Sequence, residues 1–154
     1  MATFVLVHGG GHGGWCYQRV APLLRAAGHD VYTPTLTGLG ERAHLLRADI
    51  DLDFHICDIV KVLHFDGLRD VILVGHSYGG MVITGVADRA TERVGKLVFL
   101  DVHIVCTATI PTRGRALVER ARAAGRLWDI DTGHDLMITE PKAVADALLE
   151  IADA

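Results

Sequence analysis

The 154-residue sequence has no long apolar run, and none approaches the roughly 18 residues that a membrane-spanning helix needs. Residues 1–7 have neither a basic start nor a small-residue cleavage site, so they predict a first strand rather than a secretory leader. Lys and Arg are scattered and the net charge is −4, which provides no basic surface for nucleic acid or for an anionic membrane. We therefore expect no nucleic-acid or membrane partner.

Cysteine is scarce as well. Cys16, Cys57 and Cys106 form an odd, widely spaced set without a Cys-x-x-Cys pair. That pattern argues against a disulfide framework or a zinc knuckle, and it favours a reducing cytoplasm. Half of the residues are hydrophobic and 22% are charged, so the composition is typical of a packed chain. We expect one cytoplasmic domain spanning residues 1–154.

Five apolar segments rich in β-branched residues alternate with helical patterns. This alternation predicts an α/β fold, a doubly wound and mostly parallel sheet of about five strands with helices on both faces. The expected strand order is 2-1-3-4-5 along the chain. The predicted strands are residues 3–7, 30–34, 71–74, 96–101 and 126–130. The predicted helices are residues 15–27, 53–64, 77–89, 113–124 and 141–151.

Residues 96–107 allow two interpretations. Residues 96–100 and 103–107 both have the composition of strands, but neighbouring parallel strands need a crossover of about a dozen residues. We therefore expect one strand that ends near Asp101, followed by an extended loop that reaches a helix at Arg113. Exchange of the C-terminal part between two subunits is the alternative.

The sequence Gly75-His76-Ser77-Tyr78-Gly79 follows a buried strand and leads directly into a helical pattern. Gly-x-Ser-x-Gly in that context predicts a nucleophile elbow, in which side chains at either glycine would collide with neighbouring backbone. The turn raises the Ser77 hydroxyl above the sheet, and the helix N-terminus behind it favours developing negative charge. A glycine-rich turn with an incidental serine is the alternative.

A glycine-rich stretch, residues 8–14, follows the first strand. Acyl transfer needs two N–H donors where the oxyanion forms, and we predict the Gly10 and Tyr78 amides as these donors. The stretch also matches a dinucleotide-binding fingerprint, but that fingerprint needs an acid at the end of the second strand, where Thr33-Pro34-Thr35 stands.

A metal site at His8 and His12 is a further interpretation of the same stretch. The glycines between these histidines prevent the helix that would place both on one face, and no third ligand is indicated. We therefore predict neither a metal nor an organic cofactor.

His134 lies between the last predicted strand and the last predicted helix, where a base reaches a serine at the carboxyl edge of the sheet. Gly133 gives that turn conformational freedom. The chain has nine histidines. Four that lie beside the motif or on helices are interpreted as structural or solvated: His29, His55, His64 and His76.

Together these segments resemble the α/β-hydrolase superfamily, and within it small carboxylesterases related to plant methyl-ester esterases and hydroxynitrile lyases. The resemblance covers residues 2–101 and continues from residue 103. Its motifs are residues 8–10, 12–16, 34–42, 75–81 and 133–135. It implies a serine esterase without cofactors, which hydrolyses small, aryl or short-acyl esters through an acyl-serine intermediate.

The sequence departs from that branch in two places. The branch inserts a helical cap after the sixth strand of its sheet, and here Asp101 joins His103 directly through Val102. The acid of the family usually follows the strand that residues 103–107 resemble, where this chain has no carboxylate.

We predict Asp101 as the third catalytic residue, because it ends the strand expected to neighbour the one that leads to His134. Asp131 and Asp135 are too close to His134 in sequence to orient its ring easily. A loop-capping role of Asp101 is the alternative.

Without a cap, the crevice is expected to be shallow. It is expected to be lined by His12, Trp15, Leu36, Leu39 and Tyr78.

A non-catalytic ligand-binding protein is the alternative from another functional class, since the cap and the acid are both missing from their family positions. A lactonase is a lesser alternative, as is a cyanohydrin lyase, whose threonine and lysine are replaced here by Gly9 and Asp135. Apolar surface left without a cap favours a homodimer.

Overall fold

The computed structural model of the protein describes residues 1–101, 104–106 and 115–154. In these residues six strands form one sheet in the order β2-β1-β3-β4-β5-β6, and every pairing is parallel. The strands are β1 (Thr3–Val7), β2 (Asp30–Tyr32), β3 (Val71–His76), β4 (Val94–Leu100), β5 (Ile104–Cys106) and β6 (Trp128–Ile130). The predicted parallel α/β architecture is confirmed, with six strands instead of about five.

The strand β5 corrects the expectation that residues 96–107 contribute a single strand. It pairs with β4 only through Leu100 and Ile104, and with β6 at three positions. A long crossover is needed when a parallel strand starts again at the same end of the sheet. Because β5 begins at the level where β4 ends, no return path is required. The predicted loop toward Arg113 lies largely outside the described residues.

Six α-helices are present in the described residues. They are α1 (Ala21–Ala26), α2 (Leu52–Phe65), α3 (Tyr78–Arg89), α4 (Arg115–Ala123), α5 (Leu136–Thr139) and α6 (Pro141–Asp153). The predicted helix over 15–27 is wrong in its first half, where only a short 3-10 turn over Gly14–Tyr17 forms. Pro22 lies in the first turn of α1, where no N–H is needed for an intrahelical bond, and it cannot donate to Gln18 as a residue inside a helix would. A helix running from Trp15 through Pro22 is therefore disfavoured, and α1 begins at Ala21.

The sheet separates two cores because successive side chains of a strand point to opposite faces. Phe4 and Leu6 of β1 join residues of α1 and α6 in one apolar cluster. Val5 and Val7 join residues of α2 and α3 in the other. Helices thus cover both faces, and the loops at the carboxyl edge remain as the place for a site. No helix of the described chain is long and apolar enough to cross a bilayer.

Candidate functional site

Ser77 lies between β3 and α3 with φ 50° and ψ −117°, and its side chain is exposed. Among the described residues, three non-glycine residues have a positive φ: Asp70, Ser77 and Asp101. Such conformations cost about 1–3 kcal/mol each and cluster at functional sites. Two of the three are residues to which the sequence assigns a catalytic role.

The turn around Ser77 is packed too tightly for side chains at its glycines. A Cβ on Gly75 would lie 2.6 Å from the carbonyl oxygen of Gly79. A Cβ on Gly79 would lie 2.6 Å from the carbonyl oxygen of Val7 and 2.7 Å from that of His8. At Gly79 the elbow therefore contacts the end of β1 backbone to backbone, as the motif predicts.

Substituting Gly79 with alanine should lower the free energy of unfolding by about 1–3 kcal/mol, because backbone carbonyls of β1 must move to admit the methyl group. Gly133→Ala is the matched control, since a Cβ there meets nothing within 4 Å and its φ is not positive. Urea unfolding of both variants measures the difference. Equal stabilities of the two variants would contradict this packing.

The glycine-rich turn after β1 lies directly against the elbow. A Cβ on Gly9 would lie 3.1 Å from the Ser77 Cβ, and one on Gly10 would lie 3.9 Å from the Tyr78 Cβ. The structure thus brings together Gly10 and Tyr78, the two residues predicted to supply oxyanion donors.

The Tyr78 side chain is anchored by His55, a contact that the sequence does not indicate. The Tyr78 hydroxyl lies 2.7 Å from His55 Nδ1, and His55 Nε2 lies 2.8 Å from the Thr37 carbonyl oxygen. A carbonyl only accepts, so Nε2 carries the proton and Nδ1 accepts from Tyr78. The Asp58 carboxylate in turn accepts from the Thr37 amide and hydroxyl, at 2.7 and 3.0 Å. His55 is therefore structural, and it joins the loop after β2 to the elbow.

His134 lies in the turn after β6, and its Nδ1 is 2.7 Å from Asp101 Oδ2. The Asp101 side chain is completely buried, whereas that of His134 is 44% exposed. The expectation that their strands are neighbours is wrong, because β5 lies between β4 and β6. Asp101 still reaches the ring from the position directly after β4, where its backbone is left-handed with φ 68°.

His76 links the elbow to the turn that carries His134. Its Nε2 donates to the His134 carbonyl oxygen at 2.9 Å, and the two ring centroids are 4.6 Å apart. Burial lowers the pKa of His76 to about 4, so this ring is neutral near pH 7. Ser77 and His134 are brought to the same edge, but within the described residues the Ser77 hydroxyl makes no hydrogen bond to His134. Such bonds often form only in the substrate complex.

The predicted substrate-binding residues fall into two groups. The ring of His12 lies 5.5 Å from that of Trp15, which is 47% exposed, so these two border the open edge. Leu36 is completely buried in the core beside α2 and α3, and Leu39 packs partly against the same core. Leu36 is therefore a core residue, which corrects its placement in the crevice wall: its amide donates to the buried His8 ring and draws the residue inward.

A depression of about 390 Å³, which was not predicted from the sequence, lies beside Ser77 on the α3 and β4 side. Its larger lining side chains are Met81, Thr84, Phe99 and Leu100. Positions 77, 81 and 84 share one face of a helix, which is the signal that could have identified the α3 wall. The wall formed by β4 could not be predicted in this way, because it depends on the order of the strands in the sheet.

Comparison with known proteins identifies the family. A family model described as the alpha/beta hydrolase family matches residues 4–132. The carbendazim hydrolyzing esterase of Nocardioides sp. (strain SG-4G) is 54% identical over 118 residues, which are 77% of this chain and 46% of that protein. Salicylic acid-binding protein 2 of Nicotiana tabacum is 38% identical over 100 residues, which are 63% of this chain and 38% of that protein.

One solved structure shows the same relationship. An extracellular alpha/beta-hydrolase from a Paenibacillus species, which shares structural and functional homology with tobacco salicylic acid binding protein 2, has a TM-score of 0.62 and 28% identity. The superposition covers 97% of this chain and 65% of that chain. The chain spans less than half the length of the curated relatives named above. Because the family model matches most of its residues, the chain belongs to the alpha/beta hydrolase family.

Proposed function

We propose that the protein is a carboxylic-ester hydrolase in which Ser77 is the nucleophile, His134 the general base and Asp101 the acid that orients it. The hydrogen bond between the buried Asp101 carboxylate and His134 Nδ1 carries this proposal. It leaves Nε2 of a half-exposed imidazole available at the sheet edge where Ser77 lies. The relative named as a carbendazim hydrolyzing esterase supports the same reaction class.

In the proposed cycle, His134 Nε2 takes the Ser77 proton as the serine oxygen attacks the ester carbonyl carbon. The amides of Gly10 and Tyr78 stabilise the oxyanion of the tetrahedral intermediate. As the intermediate collapses, the bond to the alcohol breaks and His134 protonates the leaving alcohol. Water, activated by His134, then attacks the acyl-serine and releases the acid.

Asp101 assists because its negative charge stabilises the imidazolium that forms in both half-reactions. Full burial of the carboxylate keeps bulk water from screening that interaction. The bond to Nδ1 also selects the tautomer that keeps Nε2 ready to accept a proton.

The proposed substrates are small esters with aryl or short acyl groups. The exposed Trp15 ring lies beside His12 at the open edge, and the apolar depression lined by Met81 and Phe99 borders Ser77. An exposed aromatic ring suits a flat leaving group, and the depression suits a short acyl chain. Because a relative is named for hydrolysis of carbendazim, a methyl carbamate on a flat aromatic ring, we include aromatic methyl carbamates. The homodimer and the cytoplasmic location stay predictions from the sequence.

Steady-state hydrolysis of p-nitrophenyl acetate, butyrate and palmitate, together with carbendazim, tests the substrate class. We expect kcat/KM for the short esters to exceed that for palmitate by at least about tenfold, because an open depression of about 390 Å³ covers only a short acyl group. Preference for the long chain would contradict the assignment. A protein that binds these compounds without turnover would support the non-catalytic alternative.

A further inference from the structure

Three side chains with metal-binding atoms converge beside the candidate catalytic residues. His12 follows β1, His76 ends β3 and Asp135 follows β6. One ligand atom from each lies within 4.8 Å of the other two. His12 Nε2 is 3.5 Å from Asp135 Oδ1. The sequence indicates no third ligand for His8 and His12, whereas the tertiary structure supplies a different set of three.

The cluster also contains buried polar atoms without partners. Within the described residues, His12 Nδ1, His76 Nδ1 and Asp135 Oδ1 have no hydrogen bond. His76 donates from Nε2 to the His134 carbonyl, so the neutral ring presents a lone pair at Nδ1. The carboxylate oxygen of Asp135 can only accept. Neutral His12 carries one ring N–H, so its Nε2 is either a donor toward Asp135 Oδ1 or a lone pair beside it. In the second case the three side chains present acceptors to one another, and buried acceptors without a donor are costly unless a cation satisfies them together.

We propose that His12, His76 and Asp135 bind Zn²⁺ or a similar divalent transition metal ion, with a fourth position left for water. Imidazole nitrogen and carboxylate oxygen are common Zn²⁺ ligands, and a site with three protein ligands is open. Two ligands about 2.1 Å from a tetrahedral ion lie about 3.4 Å apart, close to the separation of His12 and Asp135. The completely buried ring of His76 holds the third ligand in a fixed position.

The proposed site adjoins the candidate catalytic residues along the chain. His76 directly precedes Ser77, and Asp135 directly follows His134. Binding of the ion by these three side chains does not depend on the proposed function.

The binding test uses the full chain without a histidine tag, freed of metal with EDTA and titrated with Zn²⁺ against a chromophoric chelator. We expect one ion per chain. His12→Gln and Asp135→Asn should each weaken binding by at least about tenfold, because each removes a ligand. The control is His44→Gln, which replaces an exposed histidine outside the cluster and should bind as the parent does.

Circular dichroism identifies which of the two ligand variants keeps its fold, and one folded variant is sufficient for the binding test. The same titration in a Ser77→Ala background separates the site from the reaction. Absence of stoichiometric Zn²⁺ binding would overturn the proposed site. Parent-like affinity for Zn²⁺ in the folded ligand variants would also overturn it, as would an equal loss of affinity in His44→Gln. If the ion binds but the parent hydrolyses no ester, the proposed function fails and the site stands.

Discussion

Replacing Ser77 with alanine should abolish ester hydrolysis, with kcat lowered by a factor on the order of 10³ to 10⁶. The reason is that the hydroxyl supplies the oxygen that becomes the acyl-enzyme bond. Residual activity would come from the oxyanion donors and from binding alone. Initial rates with p-nitrophenyl butyrate measure the effect.

The composition of the chain limits serine-directed labelling to a single position. Ser77 is the only serine in the sequence, so a fluorophosphonate probe that labels the parent at serine can do so at one position only. The Ser77→Ala variant should stay unlabelled. Thr91→Ala removes another exposed hydroxyl, next to α3, and should leave rate and labelling unchanged. Full activity of Ser77→Ala would refute the serine mechanism.

Replacing Asp101 with asparagine should lower kcat by about 10² to 10⁴ while KM changes little. The substitution keeps the shape of the side chain but removes the charge that stabilises the His134 imidazolium. Asparagine also tolerates the left-handed backbone that Asp101 adopts at φ 68°, so we expect the fold to survive. Steady-state kinetics and thermal melting of the same preparation separate the two effects.

Asp88→Asn is the matched control, because it makes the same chemical change at an exposed position on α3. Its kinetics should equal those of the parent. If Asp101→Asn also retains parent kinetics, Asp101 has only the loop-capping role, and Ser77 and His134 are the catalytic residues that remain. If both aspartate variants lose activity equally, the loss reflects charge in general and the assigned role of Asp101 fails.

Local sequence was sufficient for the elbow and for the main architecture. The apolar run before Gly75 predicts a buried strand, and the glycines around Ser77 predict a tight turn into a helix. Both follow from contacts a few residues apart, so neighbouring positions carry the information. The same holds for Pro141 at the start of α6, whereas the unrecognised effect of Pro22 shortened α1.

Other features needed the whole chain. The pairing of β5 with β4 depends on the level at which a strand starts, which composition does not encode. The pairing of His55 with Tyr78 spans 23 residues, and that of Asp101 with His134 spans 33. Residues this far apart in sequence come into contact only when the strands take their order in the sheet.

Residues a few positions apart specify the α/β class, the turn that presents Ser77 and the glycine-rich stretch after the first strand, because spacing and backbone sterics act locally. The tertiary fold places Leu36 in the core, brings Asp101 to His134 across β5, and makes His12, His76 and Asp135 converge. These contacts join turns from separate strands at one edge of a parallel sheet. Their geometry follows from strand order and stagger, which no single segment contains.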